Sequence, residues 1–266
     1  MKKTLIRIGV LALALAAVVL LHKQVQKEAA EAEAAAHPEV EEEEEPMQSL
    51  SVISIDNGVT LGRMEENPDG GVTVTVKKED GEEASYWFKD VAIDSWYASA
   101  VNFVVSAGLM TGPGEDPYFQ PEYGVLREAF AAILYRYAGG QPVKPRYQFA
   151  DVEQDKWYID VINWVTNERL MTGLVSDEGT IFGIGQYMTC EQALVGLYRL
   201  AGTPETDGSL TDYPYASKVS ESGRNAVDWA WDNGLITEVE CVWYPTQAIS
   251  RAQVALLLTR FSKMAE

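Results

Sequence analysis

One short motif recurs at a fixed distance along this chain. An apolar residue stands two positions before an aspartate, and the three occurrences begin at positions 88, 149 and 210, each 61 residues after the last. They are Phe88-Lys89-Asp90, Phe149-Ala150-Asp151 and Leu210-Thr211-Asp212. A constant period of this length is typical of one structural unit repeated along the chain, since single residues rarely match by chance at equal spacing. The period therefore predicts three copies of one unit.

Each copy contains a segment whose apolar residues cover one broad helical face. The segments are residues 96–108, 157–169 and 222–234. The apolar positions are Val101, Phe103, Val104 and Val105, then Val161, Ile162, Trp164 and Val165, then Val227, Trp229, Ala230 and Trp231. The spacing predicts the first helix of each copy.

A second block predicts another helix in each copy, beginning near residues 126, 189 and 250. Thr189 and Ser250 are natural N-caps, and Gln192 and Gln253 stand in the first turn, as a capping box requires. Nine residues after the Arg or Cys of each block there is an arginine, at Arg136, Arg199 and Arg260. We expect these arginines to cover the core or to pair with Asp, and not to bind a ligand.

Each copy is thus a helix, a Gly-containing loop and a helix. One such unit cannot bury its own apolar face, whereas three can do so by stacking around a common axis. The sequence predicts that residues 88–140, 148–202 and 209–262 fold together as a mainly α body.

The chain before the first copy divides into three parts. Residues 1–23 start with Lys2 and Lys3 and run through an apolar stretch, which is typical of an export signal. The residues leave open a cleaved signal peptide or an uncleaved anchor, with residues 5–21 as a membrane tether. Residues 24–46 are predicted to be an acidic Ala/Glu-rich linker.

Residues 47–87 alternate apolar and polar positions between turn signals, at Asp56-Asn57-Gly58 and Asp80-Gly81. Val72, Val74 and Val76 show the alternation most clearly. This segment predicts a small β-hairpin region that leans on the following copies, since so few strands are marginal alone.

Charge and titratable residues restrict the function. The formal net charge is −19, which disfavours nucleic acid, so any anionic ligand needs directed Arg contacts. The only two histidines, His22 and His37, precede the repeats, which excludes a Ser-His-Asp, Cys-His or His-based metal site there. We predict no enzyme activity, no cofactor and no metal.

Cys190 and Cys241 are compatible with a disulfide or with two thiols.

These residues resemble the S-layer homology domain, the wall-anchoring module of bacterial surface proteins. Copy 1 carries the full pattern: Phe88, Asp90, Trp96-Tyr97, Gly108-Leu109-Met110-Thr111-Gly112, Phe119-Gln120-Pro121 and Arg127. Copy 2 has Cys190 where the family has Arg, and copy 3 has Ser222 in place of Trp and Glu238 in place of the second Gly.

The resemblance implies a pseudo-three-fold prism around a central helix bundle, with the small β appendage before it. It also implies non-catalytic, non-covalent attachment to the bacterial cell wall through an anionic, pyruvylated secondary wall polysaccharide. The protein would then lie at the cell surface, outside the cytoplasm. An alternative is a degenerate scaffold or envelope spacer that contacts proteins and no longer binds glycan.

The resemblance also indicates candidate glycan-binding residues. Arg127 and Arg251 offer a guanidinium fork at a helix N-terminus, where carboxylates bind well. The others are Trp96 and Trp157 as sugar platforms, Gly112 and Gly173 for close backbone approach, and Asp90 and Asp151, for which a turn-forming role is the more frequent alternative. The groove of copy 2 is expected to bind weakly because of Cys190, unless Arg169 reaches in.

Overall fold

A computed structural model describes residues 59–264, apart from residues 79, 115 and 178. The predictions made for residues 1–23, 24–46 and 47–58 lie outside the described residues. Within the described part, no helix is both long enough and apolar enough to cross a membrane.

A three-stranded antiparallel sheet precedes the helices. Its strands are β1 (Arg63–Glu66), β2 (Val72–Lys77) and β3 (Glu83–Phe88), with β2 in the middle. Val72 pairs with Glu66 on one side and with Phe88 on the other. The alternation predicted at Val72 and Val74 is confirmed, because both side chains are fully buried.

The sheet packs against the first helix of copy 1. The Asn102 side-chain amide donates to the Gly62 carbonyl oxygen at 3.0 Å, and the Gly62 N–H donates to Ser106 Oγ at 2.8 Å. Gly71 has φ +72°, and a Cβ there would lie 2.0 Å from the Phe88 carbonyl oxygen. Only glycine fits that position, which sets the turn between β1 and β2.

Two α-helices occur in each copy of the described chain. They are α1 (Ala98–Ser106), α2 (Arg127–Tyr137), α3 (Ile159–Asn167), α4 (Cys190–Leu200), α5 (Arg224–Asp232) and α6 (Arg251–Met264). The second helices begin within one residue of the predicted positions. Thr189 Oγ1 accepts from the Gln192 N–H while the Gln192 side chain accepts from the Thr189 N–H, so the predicted capping box is confirmed. Ser250 and Gln253 make the same reciprocal pair.

Some elements had no sequence-based prediction. Copy 2 carries a short hairpin of β4 (Leu174–Ser176) and β5 (Gly179–Ile181) in its loop. Copy 3 carries two 3-10 turns, Ala216–Lys218 and Glu221–Gly223, before α5.

The helices pair in a closed order. Helix α2 packs against α3, α4 packs against α5, and α6 packs against α1. Each pair therefore joins the second helix of one copy to the first helix of the next, and the last copy returns to the first.

A ring of backbone hydrogen bonds joins the segments that lead into the second helices. The Val125 N–H donates to the Ile249 carbonyl oxygen at 2.9 Å, and the Ile249 N–H donates to the Met188 carbonyl oxygen at 2.9 Å. The Met188 N–H then donates to the Val125 carbonyl oxygen at 2.8 Å, which closes the ring.

The second helices also approach one another. The Tyr137 and Ser262 hydroxyls lie 3.1 Å apart between α2 and α6, and a Cβ at Gly196 of α4 would lie 3.2 Å from the Phe130 ring of α2. One buried apolar cluster runs from the sheet through all three copies. The pseudo-three-fold prism stays a prediction, which these contacts support.

Candidate ligand-binding junctions

Three junctions form where the start of a second helix meets the loop of the next copy. We name each by the residue at the first position of that helix: the Arg251 junction, the Arg127 junction and the Cys190 junction. Arg127, Arg251, Asp90 and Asp151 lie at these junctions. Gly112 and Gly173 directly follow the acceptor residues Thr111 and Thr172 in the chain.

At the Arg251 junction, copy 3 holds the loop of copy 1. Arg251 Nε donates to the Phe119 carbonyl oxygen at 2.7 Å and Nη2 donates to the Thr111 carbonyl oxygen at 2.5 Å. Its guanidinium carbon lies 4.7 Å from the centre of the Phe119 ring. Burial lowers the Arg251 pKa to about 10, and the negative charge of Asp90 opposes that fall.

At the Arg127 junction, copy 1 holds the loop of copy 2 in the same way. Arg127 Nε donates to the Phe182 carbonyl oxygen at 2.7 Å and Nη2 donates to the Thr172 carbonyl oxygen at 2.9 Å. Nη1 faces the Met188 sulfur at 3.7 Å. The Arg127 side chain is buried, with 3% of its surface exposed, and burial lowers its pKa.

Two of the three motif aspartates, Asp90 and Asp151, complete these junctions. Asp90 accepts from the Phe119 N–H at 2.8 Å and from the Gln120 N–H at 2.7 Å. Asp151 accepts from the amides of Phe182, Gly183 and Ile184 at 2.7, 2.7 and 2.8 Å. Both carboxylates are used within the fold, which favours the turn-forming alternative over a ligand contact.

The helix N-termini at these arginines do not offer their first amides to a ligand. The Arg127 N–H donates to the Gln186 carbonyl oxygen and the Arg251 N–H donates to the Tyr123 carbonyl oxygen, each at 2.9 Å. Neighbouring copies therefore occupy the first amide of each helix, and binding of a carboxylate at these helix N-termini stays a prediction.

The two predicted glycines are needed for the protein's own packing. A Cβ at Gly112 would lie 2.7 Å from the Tyr118 carbonyl oxygen. A Cβ at Gly173 would lie 2.6 Å from the Phe149 ring. Each glycine thus allows a close approach within its own copy, and a role toward a ligand stays a prediction.

Trp96 and Trp157 present surface to solvent, with 37% and 64% of their surface exposed. Each contacts the tyrosine that follows it edge-on, with ring centres 5.1 Å apart at Tyr97 and 5.5 Å apart at Tyr158. An exposed indole face of this kind can stack on the C–H surface of a sugar. These two residues are the predicted site residues that remain most accessible.

The Cys190 junction lacks a guanidinium. The Cys190 thiol is buried, and burial together with the nearby Cys241 raises its pKa to about 12. Both cysteines are free thiols, so the disulfide alternative is not realised in this structure.

Trp243 stands at the position that Phe119 and Phe182 occupy in the other copies, and its buried indole N–H has no hydrogen-bond partner among the described residues.

Two of the three recurring arginines, nine residues after the first residue of each second helix, donate to carbonyl oxygens. Arg136 Nη1 donates to the Leu109 carbonyl oxygen and Arg260 Nη1 donates to the Leu235 carbonyl oxygen, each at 3.1 Å. Arg260 also pairs with Glu240 at 2.5 Å. The expected pairing with Asp is wrong for these two residues.

A cavity of about 360 Å³ opens beside the Arg127 junction. Its walls combine hydroxyl, amide, charged and apolar groups, including Arg127, Thr172, Leu174, Glu191, Arg199 and Ser222. Ser222 stands where copies 1 and 2 carry Trp96 and Trp157, so the smaller side chain leaves room. Arg169, the residue that could have compensated for Cys190 by reaching into the groove of copy 2, is not among the residues that line this cavity.

Sequence reasoning missed Glu191 and Arg199 as lining residues. The available signal was their spacing with Val195, since positions four apart share one face of a helix and all three residues line the cavity. The carbonyl acceptors of the arginines left no signal, because they lie 55 and 132 residues away along the chain.

Comparison with known proteins finds a match to one family model. Residues 88–131 match the S-layer homology domain. A curated relative is the surface-layer 125 kDa protein of Lysinibacillus sphaericus, which is 26% identical over 175 residues. The match covers 63% of this chain and 14% of that protein.

In the described residues, no group of three His, Cys, Asp or Glu side chains is placed to hold a metal ion.

Proposed function

We propose that this protein attaches to the bacterial cell wall, non-covalently and without catalysis, by binding a pyruvylated secondary wall polysaccharide. The observation that carries the proposal is the match of residues 88–131 to the S-layer homology domain. The match and the surface-layer relative support association with the cell surface or cell wall.

The proposal includes three tandem units, residues 88–140, 148–202 and 209–262, arranged as a pseudo-three-fold prism. Two features support this arrangement. Helix pairing runs cyclically through the copies, and the Arg127 and Arg251 junctions use the same contacts with the next copy. Equivalent contacts at successive copies are what stacked repeats require.

The exposed indoles supply the sugar contacts in this proposal. Two of the three guanidinium nitrogens of Arg127 and of Arg251 donate to carbonyl oxygens, so these side chains shape the groove and contribute positive charge. Trp157 and Trp96 offer the apolar faces. A membrane tether through residues 5–21 would add a second attachment.

The test uses the full chain and purified cell-wall sacculi. The protein is expected to co-sediment with intact sacculi and to stay in solution when the wall polysaccharide has been extracted. Replacing both indoles, Trp96→Ala with Trp157→Ala, is expected to weaken binding about tenfold or more, as loss of central aromatic contacts does. Tyr147→Ala is the matched control, because Tyr147 is 45% exposed and lies between copies 1 and 2.

A second function is favoured by the internal use of both arginine forks and by Cys190. In it, the prism is a scaffold that contacts an envelope protein. Equal binding to intact and extracted sacculi, together with loss of binding after protease treatment of the sacculi, would support the scaffold and contradict the glycan anchor.

A further inference from the structure

Arg199 differs from its two counterparts. Arg136 and Arg260 each donate to a leucine carbonyl oxygen of their own copy. The matching acceptor for Arg199 would be the Leu170 carbonyl oxygen, at the position equivalent to Leu109 and Leu235. Across residues 59–264, excluding the three undescribed positions, the Arg199 guanidinium makes no hydrogen bond or ion pair.

The Arg199 guanidinium is also partly removed from water. Its side chain is half-buried in the wall of the cavity beside the Arg127 junction. Burial lowers the Arg199 pKa, and no neighbouring negative charge compensates. A half-buried cation without a partner has lost hydration and gained nothing in return, so an anion in the cavity would be strongly favoured.

Glu191 is the carboxylate that also lines this cavity, and it is already engaged. Its oxygens accept from the Ser220 N–H at 2.9 Å and from the Ser220 hydroxyl at 2.5 Å. Arg127 is likewise bonded to the carbonyl oxygens of copy 2. Arg199 is therefore the charged group of the cavity whose hydrogen-bonding capacity is unused.

The other walls fit a saccharide. Apolar side chains at Leu170, Leu174 and Val195 face hydroxyl groups at Ser220 and Ser222. Mixed apolar and hydrogen-bonding walls of this size suit a small polar ligand with apolar faces.

We infer that Arg199 binds the anionic group of a saccharide in the cavity beside the Arg127 junction, and that this group is a carboxylate or a phosphate. This inference rests on the proposed function and names the residue that recognises the charge. It also places ligand binding beside copy 2, which has Cys190 where the family has Arg. Arg199, nine residues further along the same helix, supplies the positive charge instead.

The experiment titrates the full, isotope-labelled chain and follows the backbone amide signals of Ser220 and Ser222. The probes are a monosaccharide bearing a pyruvate ketal, its neutral methyl ester, and inorganic phosphate. Arg199→Gln is compared with Arg260→Gln, which removes the same charge at the equivalent position of copy 3. Circular dichroism checks that both variants are folded.

The acidic sugar is expected to bind at least about tenfold more tightly than its methyl ester, as a charge-assisted guanidinium contact implies. Arg199→Gln should abolish that preference, whereas Arg260→Gln should retain it. If phosphate binds more tightly than the acidic sugar, the inference stands with a phosphorylated saccharide as ligand.

Equal binding of the acidic and neutral sugars, or unchanged binding by Arg199→Gln, overturns the inference. The proposed function would survive that result if the protein still co-sedimented with intact sacculi only. Failure to bind sacculi and all three probes would overturn both.

Discussion

The Arg127 junction and the Cys190 junction solve the same problem with different residues. In each, a carbonyl oxygen in the loop of the next copy is buried and needs a donor. Arg127 reaches the Phe182 carbonyl oxygen from the preceding copy. At the Cys190 junction the thiol is too short, and the Tyr213 hydroxyl of the same copy donates to the Trp243 carbonyl oxygen instead.

The difference teaches that a buried carbonyl oxygen at a junction can be satisfied either by an arginine of the neighbouring copy or by a donor of its own copy. Gln253 adds a second local donor, since its side-chain amide donates to the Val242 carbonyl oxygen at 2.9 Å. An arginine therefore links two copies, whereas the tyrosine and glutamine connect parts of one copy. The Cys190 junction thus uses bonds within copy 3 where the Arg127 junction uses bonds between copies.

The largest effect is expected from Arg127→Ala. The substitution leaves the Phe182 and Thr172 carbonyl oxygens without their donors in a buried place. We expect a loss of about 2 to 6 kcal/mol in the free energy of unfolding, about 1 to 3 kcal/mol for each unsatisfied carbonyl oxygen, measured by urea denaturation. Arg251→Ala should cost less, because Arg251 is less buried.

Arg63→Ala is the control for this prediction. Arg63 pairs with Glu65 at the surface, with 66% and 61% of the two side chains exposed, so its removal should cost less than about 1 kcal/mol. Equal effects of the Arg63 and Arg127 substitutions would show that the cross-copy bonds do not stabilise the fold.

An intermediate effect is expected from Tyr213→Phe. The ring, which is 5% exposed, still fills its place, but the Trp243 carbonyl oxygen loses its donor. The free energy of unfolding should fall by about 1 to 3 kcal/mol, the usual cost of an unsatisfied buried group. Tyr147→Phe, at an exposed tyrosine, is expected to change nothing; if the two substitutions behave alike, Tyr213 does not replace the missing arginine.

The smallest effect is a pH dependence specific to the Cys190 junction. Burial raises the pKa of Cys190 to about 12 from an ordinary value of 9.0, so the folded state resists loss of the thiol proton. The stabilisation linked to the protonated Cys190 thiol is fully present below the pKa that the thiol has in the unfolded chain. It decreases as the pH rises from about 9 toward 12. Because of this thiol, the free energy of unfolding should fall by about 1 kcal/mol between about pH 8 and pH 9.5.

Cys190→Ala separates this thiol from other groups. Cys241, whose pKa is raised to about 11 by burial, contributes with the same sign and remains in the variant. Thermal or urea unfolding at the two pH values should show a shallower pH dependence for Cys190→Ala than for the parent chain. Identical dependence in both would mean that the Cys190 thiol is not buried in the folded protein.

Much of the secondary structure was predictable from local pattern. The second helices begin at Arg127, Cys190 and Arg251, one residue from the predicted starts, because caps and apolar periodicity are local properties. The hairpin of β4 and β5 was missed, since its strands have three residues each and little alternation.

The candidate site was predicted less completely. Trp96 and Trp157 are exposed where a ligand could reach them. Arg127 and Arg251 lie at the predicted helix starts, but their guanidinium groups turn toward carbonyl oxygens of another copy. A residue type and its spacing cannot reveal which distant backbone atoms will surround it.

The sequence alone determined the period, the helices and the caps, because each depends on residues close together along the chain. Tertiary structure alone decided which donors are used and which is free. Arg136, Arg199 and Arg260 occupy one repeated position, yet the Arg199 guanidinium is unpaired within the described residues while its counterparts bond to Leu109 and Leu235. Such bonds depend on distances of a few tenths of an ångström, which the sum of all long-range contacts sets.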